Sequence, residues 1–137
     1  MLRENEIAKT IVDVAYHIHR QLGPGLLESV YHAIMKYELE KRGLRVLSRE
    51  PVPVVWEEVR LEIGFEADLI VDGAVVVELK AVEQVARVHK KQLLTYLRPT
   101  NCRLGLLINF GAEFIGEGGI ARVANGLPPD PDGSRQE

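Results

Sequence analysis

The residues best suited to chemistry lie between positions 68 and 80, where the chain reads Asp-Leu-Ile-Val-Asp-Gly-Ala-Val-Val-Val-Glu-Leu-Lys. Asp72-Gly73 between two β-branched runs is a strong hairpin signal. Such a hairpin puts Asp68 near the open end of one strand and Glu78 and Lys80 near the open end of the next. Side chains alternate along a strand, so Glu78 and Lys80 share a face and Leu79 takes the other. Two carboxylates and an ammonium then meet at the end of an apolar hairpin, where an unpaired charge is costly. One outcome is a salt bridge, with Lys80 neutralising Asp68 or Glu78. The other is a divalent-metal site, since carboxylates are the hard oxygen ligands that Mg²⁺ prefers. A metal-activated water beside a lysine is what hydrolysis of a phosphodiester requires.

The elements that would position these groups follow from periodicity. Ile7, Ile11, Val14, Ala15, Ile18 and Leu22 recur at helical spacing and predict a helix over 5–22, with Asn5 as its candidate cap. Gly23-Pro24-Gly25 breaks the chain, and a second helix is expected over 26–42, ended by Gly43, with an apolar stripe of Leu27, Val30, Ile34 and Tyr37. Glu28 falls in its first turn, where a carboxylate suits the helix dipole and can also point into a metal site. A short strand over 44–47 and a proline-bearing edge strand or arm over 51–56 come next, then a turn at Glu57-Glu58 and a strand over 60–65. A third helix is expected over 83–97, with His89, Gln92 and Tyr96 on one face and Arg87, Lys90 and Lys91 as a local basic cluster. The apolar run inside 103–110 reads as a buried strand reached by a helical crossover, hence parallel to its neighbour. A last short strand is expected over 120–123.

At 137 residues, with 46% hydrophobic and 27% charged residues, the chain is expected to form one domain over 1–126 and a mobile tail over 127–137. The net charge of −3 provides no general attraction for nucleic acid, so any such contact needs a local basic patch or a metal. A lone cysteine, Cys102, excludes an internal disulfide and a cysteine-rich zinc site, and fits a reducing compartment. No apolar run approaches membrane-spanning length and no signal peptide is evident, so a cytoplasmic protein without a membrane partner is expected.

The order of these features resembles the PD-(D/E)XK nuclease superfamily: a helix bearing Glu28, strands bearing Asp68 and then Glu78-Leu79-Lys80, a helix bearing Gln92 and Tyr96, and a further strand. Ala67 stands where the proline of that motif would be. Gln92-Leu93-Leu94-Thr95-Tyr96 is similar to the Gln-x-x-x-Tyr motif of its recombination-exonuclease branch, and Gly25-Leu26-Leu27-Glu28-Ser29-Val30-Tyr31 to the signature of the GxxExxY family. Glu66 departs from the basic or neutral residue expected beside Asp68. The resemblance implies an α/β restriction-endonuclease-like core, with helices flanking a mixed sheet, and metal-dependent hydrolysis of DNA phosphodiester bonds, in repair or defence, with DNA as the partner and RNA as a secondary candidate. It further implies that Asp68, Glu78 and the Leu79 main-chain carbonyl hold Mg²⁺ or Mn²⁺, joined by Glu28. Lys80 would ready the attacking water, and Gln92 would orient Lys80 or a phosphate. Tyr96, with Arg87, Lys90 and Lys91, would touch nucleic acid. A homodimer is compatible with so small a domain. The alternative is a catalytically inactive nuclease fold serving as a nucleic-acid-binding or protein-interaction module.

Overall fold

The computed structural model describes residues 2–131. Eight elements follow in chain order: α1 (Arg3–Leu22), α2 (Glu28–Lys41), β1 (Val46–Trp56), β2 (Val59–Val71), β3 (Val75–Lys80), α3 (Arg87–Leu97), β4 (Leu104–Asn109) and β5 (Ile120–Ala124). The strands form one mixed sheet in the order β1-β2-β3-β4-β5. Only β3 and β4 run parallel, as expected when α3 carries the chain from one to the other. Among the described residues no helix is long and apolar enough to cross a membrane.

Alternation along the strands sorts the core into two layers. Leu69, Val71, Val75, Val77, Leu104, Leu106 and Ile108 pack with Ile11, Val14 and Ile18 of α1 and with Tyr31, Met35 and Leu39 of α2. On the other face Ile70, Val76 and Leu107 pack with Leu93 and Leu97 of α3. The α3 layer is thin because Gly105 lets the helix settle onto the sheet: a Cβ there would stand 2.8 Å from Leu93 Cδ1. The Asp72-Gly73 hairpin forms as expected, with both residues at positive φ (51° and 64°), the demand of a type I′ turn.

Several boundaries differ from the sequence reading. The first helix starts at Arg3 and Asn5 does not cap it; Asn5 is buried one turn in, its Oδ1 accepting from Arg122 Nη2 at 2.7 Å. The buried stripe of α2 is Tyr31, Met35 and Leu39, while Leu27, Val30 and Tyr37 are exposed. Tyr31 belongs inside because its ring stacks on Phe110 at 4.5 Å and its hydroxyl finds polar partners in the preceding loop. The two strand fragments expected over 44–56 are one continuous edge strand. The third helix starts at Arg87: Ala86 remains extended (φ −80°, ψ 154°) and donates its N–H to His89 Nδ1 at 3.1 Å, which stops the helix from running back toward Glu83. Leu127, at the expected start of the tail, is buried in the main core. The rest of that tail from position 132 lies outside the described residues.

Candidate functional site

Strands β2 and β3 pair regularly from Val71↔Val75 to Leu69↔Val77. Beyond that point their peptide groups are joined through side chains. The Asp68 N–H donates to Glu78 Oε2 at 2.9 Å, and the Leu79 N–H donates to Asp68 Oδ2 at 2.8 Å. Each carboxylate thus bonds the main chain of the opposite strand through one oxygen. Arg49, across β2 from this point, adopts positive φ (53°), so the sheet is locally irregular on that side too. Parity puts Asp68 with Ile70, and Glu78 with Val76, on the face covered by α3.

The electrostatics of this pair follow from its burial. Glu78 is buried, and desolvation together with the neighbouring charge of Asp68 pushes its pKa up to about 7. The Asp68 N–H and the Lys80 ammonium pull the other way, and Glu28 adds a smaller upward push. Lys80 acts from a distance. Among the described residues the ion pairs are Lys36–Glu40, Lys41–Glu38, Arg60–Glu62 and Arg103–Glu4, and none involves Lys80, Asp68 or Glu78. The simple salt bridge that the sequence also allowed is therefore not formed.

Glu28 begins α2 and is exposed. Its loop is fixed by Tyr31, whose hydroxyl donates to Gly23 O at 2.6 Å and accepts the Leu26 N–H at 3.1 Å. Gly25 (φ 114°) supplies a bend that other residues rarely adopt. The glycine, the acid and the tyrosine are thus one device: a turn, the group it delivers, and the clamp that holds the turn. Glu28 does not close a cage with the other two acids, for no group of three His, Cys, Asp or Glu among the described residues is placed to hold a metal ion. The donor set still suits a hard divalent cation. Two adjacent carboxylates each have one oxygen bonded to an amide, and burial leaves them short of positive charge.

On α3, Gln92 is exposed and Tyr96 half-buried, and both line a groove of about 930 Å³ between the helix and the β1–β2 arm. Tyr96 stacks face to face on Phe65, ring centroids 3.9 Å apart. Burial raises the Tyr96 pKa, and the charges of Glu78 and Asp68 raise it further, so the phenol stands beside the acids. Arg87, Lys90 and Lys91 are exposed and are not among the groove's lining residues, whose cations are Arg60 and Arg98. His89, on the same turn as these cations, is engaged at the helix start.

Two residues that the sequence reading passed over support the site. His32, one turn beyond Glu28, is buried with Nε2 2.7 Å from Ser48 Oγ. Burial and the Arg49 charge lower its pKa, opposed by Asp68, which marks it as a neutral imidazole near the acids. The four-residue spacing from Glu28 was the available signal. Asn109 pairs with Lys80 across β3–β4. Its Oδ1 accepts from the N–H groups of Val82 and Gly111, both at 3.0 Å, and its Nδ2 donates to Val82 O at 2.8 Å. The chain leaving Lys80 is thereby tied to the end of β4. A Cβ at Gly111 would stand 2.3 Å from Val82 O, so this junction has no room for a side chain.

No curated protein and no solved structure matches the chain. Residues 5–123 match the PD-(D/E)XK nuclease superfamily, a span that takes in Glu28, Asp68, Glu78, Lys80, Gln92 and Tyr96. With that match over most of its length, and a five-stranded mixed sheet flanked by helices that joins an Asp on one strand to a Glu-x-Lys on the next, the chain belongs to the PD-(D/E)XK nuclease superfamily.

Proposed function

We propose that this protein is a Mg²⁺- or Mn²⁺-dependent nuclease that hydrolyses DNA phosphodiester bonds, and that it belongs to the GxxExxY branch of its superfamily. The observation that carries this reading is the reciprocal bonding of Asp68 and Glu78, two buried-end acids without an ion-paired cation. A bound divalent cation supplies Lewis-acid polarisation of the phosphate and a more acidic water. Asp68, Glu78 and the Leu79 carbonyl are the groups to hold it, with Glu28 acting through water from the start of α2. Lys80 orients the nucleophilic water and stabilises charge that develops on the phosphoryl oxygens. Gln92 positions Lys80 or a phosphate oxygen, and Tyr96 meets the nucleic acid at the groove. Arg87, Lys90 and Lys91 extend the cationic surface along α3. Repair of the cell's own DNA or defence against foreign DNA in the cytoplasm fits this activity.

The test is cleavage of labelled single-stranded, duplex and branched DNA, with RNA in parallel, in Mg²⁺ or Mn²⁺. Lys80→Ala and Asp68→Asn are expected to lower the rate by about a hundredfold or more. Asp68→Asn should also remove the heat of metal binding in calorimetry. A folded wild-type protein that cuts none of these substrates at any metal concentration overturns the proposal.

A further inference from the structure

The groove between the β1–β2 arm and α3 has a composition unlike the rest of the molecule. The chain carries a net charge of −3, yet the groove is lined by Arg60 and Arg98 and by no aspartate or glutamate. Its volume, about 930 Å³, is that of a site for a ligand of one to a few rings. Phe65 comes from the arm and Tyr96 from the helix, and both line the groove; their rings stack face to face, within 5° of parallel and 3.9 Å apart, so each covers one face of the other and a further ring can add only at an end of that stack. Arg98 extends from the end of α3. Arg60 is steadied through Nε by Glu62 at 2.7 Å, which fixes its guanidinium but offsets part of its charge. Arg98 is thus the stronger of the two cations.

We infer that this groove receives single-stranded nucleic acid, with an unpaired base extending the Phe65–Tyr96 stack at its end and the flanking phosphates facing Arg98 and Arg60. The inference rests on the nuclease reading only for its link to the carboxylates beside Tyr96. Stacking selects the strand state by simple geometry. Bases inside a duplex have their faces covered by neighbouring pairs, whereas an unpaired base offers a free π-face of any sequence. Guanidinium groups on the same walls then follow the backbone. A sequence-tolerant groove of this kind, apolar along most of its lining with two arginines, delivers a frayed end, a flap or a single strand toward Asp68 and Glu78.

Fluorescence anisotropy tests the assignment with a labelled oligothymidine of about ten nucleotides, within the usual site sizes, against a blunt duplex of equal length. EDTA is present, so binding is read without cleavage. The wild type is expected to hold the single strand at least about tenfold more tightly than the duplex. Phe65→Leu keeps apolar bulk but removes the π-face, and should lose about tenfold, while Phe65→Trp should retain binding. Arg98→Ala should weaken binding and reduce its salt slope by about 0.7, one phosphate contact on a single strand. Duplex binding equal to or tighter than single-strand binding overturns the inference, as does wild-type affinity in both Phe65→Leu and Arg98→Ala. The nuclease reading separates cleanly. Lys80-dependent cleavage with unaltered Phe65→Leu and Arg98→Ala binding removes the groove and leaves the enzyme, whereas the expected binding pattern without any cleavage leaves the groove and removes the enzyme.

Discussion

Glu78 takes up protons on folding, and the sign of the consequence is fixed. Its pKa rises from an ordinary carboxylate value to about 7 because burial and Asp68 disfavour the charged form. Between about pH 4.5 and pH 7 the folded chain binds more protons at this site than the unfolded one, so its contribution to stability falls as pH rises through that window. The full difference is about 3 kcal/mol. Thermal unfolding in EDTA should therefore show a loss of this contribution between pH 5 and pH 8, and Glu78→Gln should flatten the profile. Metal competes with the same proton, so the rise in melting temperature on adding Mg²⁺ should be larger at pH 8 than at pH 6 and absent in Asp68→Asn. A Mg²⁺ shift that shrinks with rising pH contradicts the assignment. Tyr31 offers a second test among individual residues. Tyr31→Phe keeps the stack on Phe110 but strips Gly23 O and the Leu26 N–H of their partner. The expected cost is about 1–3 kcal/mol by chemical denaturation, together with slower cleavage, since the loop carrying Glu28 loses its clamp.

Among the elements, the junction that follows β3 matters most. Asn109 and Gly111 together fix the chain leaving Lys80, the first by three hydrogen bonds and the second by having no side chain. Gly111→Ala is expected to cost about 2–4 kcal/mol, because the obstructing atoms belong to the backbone of Val82 and cannot rotate aside. Denaturation midpoint and cleavage rate should fall together; a wild-type midpoint contradicts this account. Features set by neighbours in sequence were readable beforehand. The Asp72-Gly73 turn is local chemistry, and with it came the meeting of Asp68 and Glu78. The apolar spacing of α1 likewise identified its buried side. Features set by distant contacts were not. The buried face of α2 depends on Phe110, and the value of Asn109 on where Val82 returns. Arg60 and Arg98 share a groove only because the arm folds over α3, whereas the basic cluster that is adjacent in sequence, Arg87, Lys90 and Lys91, lies outside its lining.

At the scale of the whole molecule, charge and apolar surface are unevenly distributed. The net charge is −3, yet Arg60 and Arg98 gather in one groove that no aspartate or glutamate lines. The arm, where β1 and β2 pair with each other alone, extends past the part of β2 that pairs with β3 and carries large apolar groups in solvent, Trp56 at 70% and Ile63 at 71% exposure. Because these side chains contribute little to the core, Ile63→Ser should change unfolding free energy by less than about 0.5 kcal/mol, measurable by urea titration. The superfamily fold thus confines its stability to two packed layers and leaves the arm as an appendage to the groove. The reciprocal bonds between β2 and β3 have a practical corollary for spectroscopy. The peptide protons of Asp68 and Leu79 are built-in reporters, since each is donated to a carboxylate oxygen of the site and not to a ladder carbonyl. Following just these two resonances would register protonation, cation capture and opening of the hairpin mouth as separate events, without a label and without turnover.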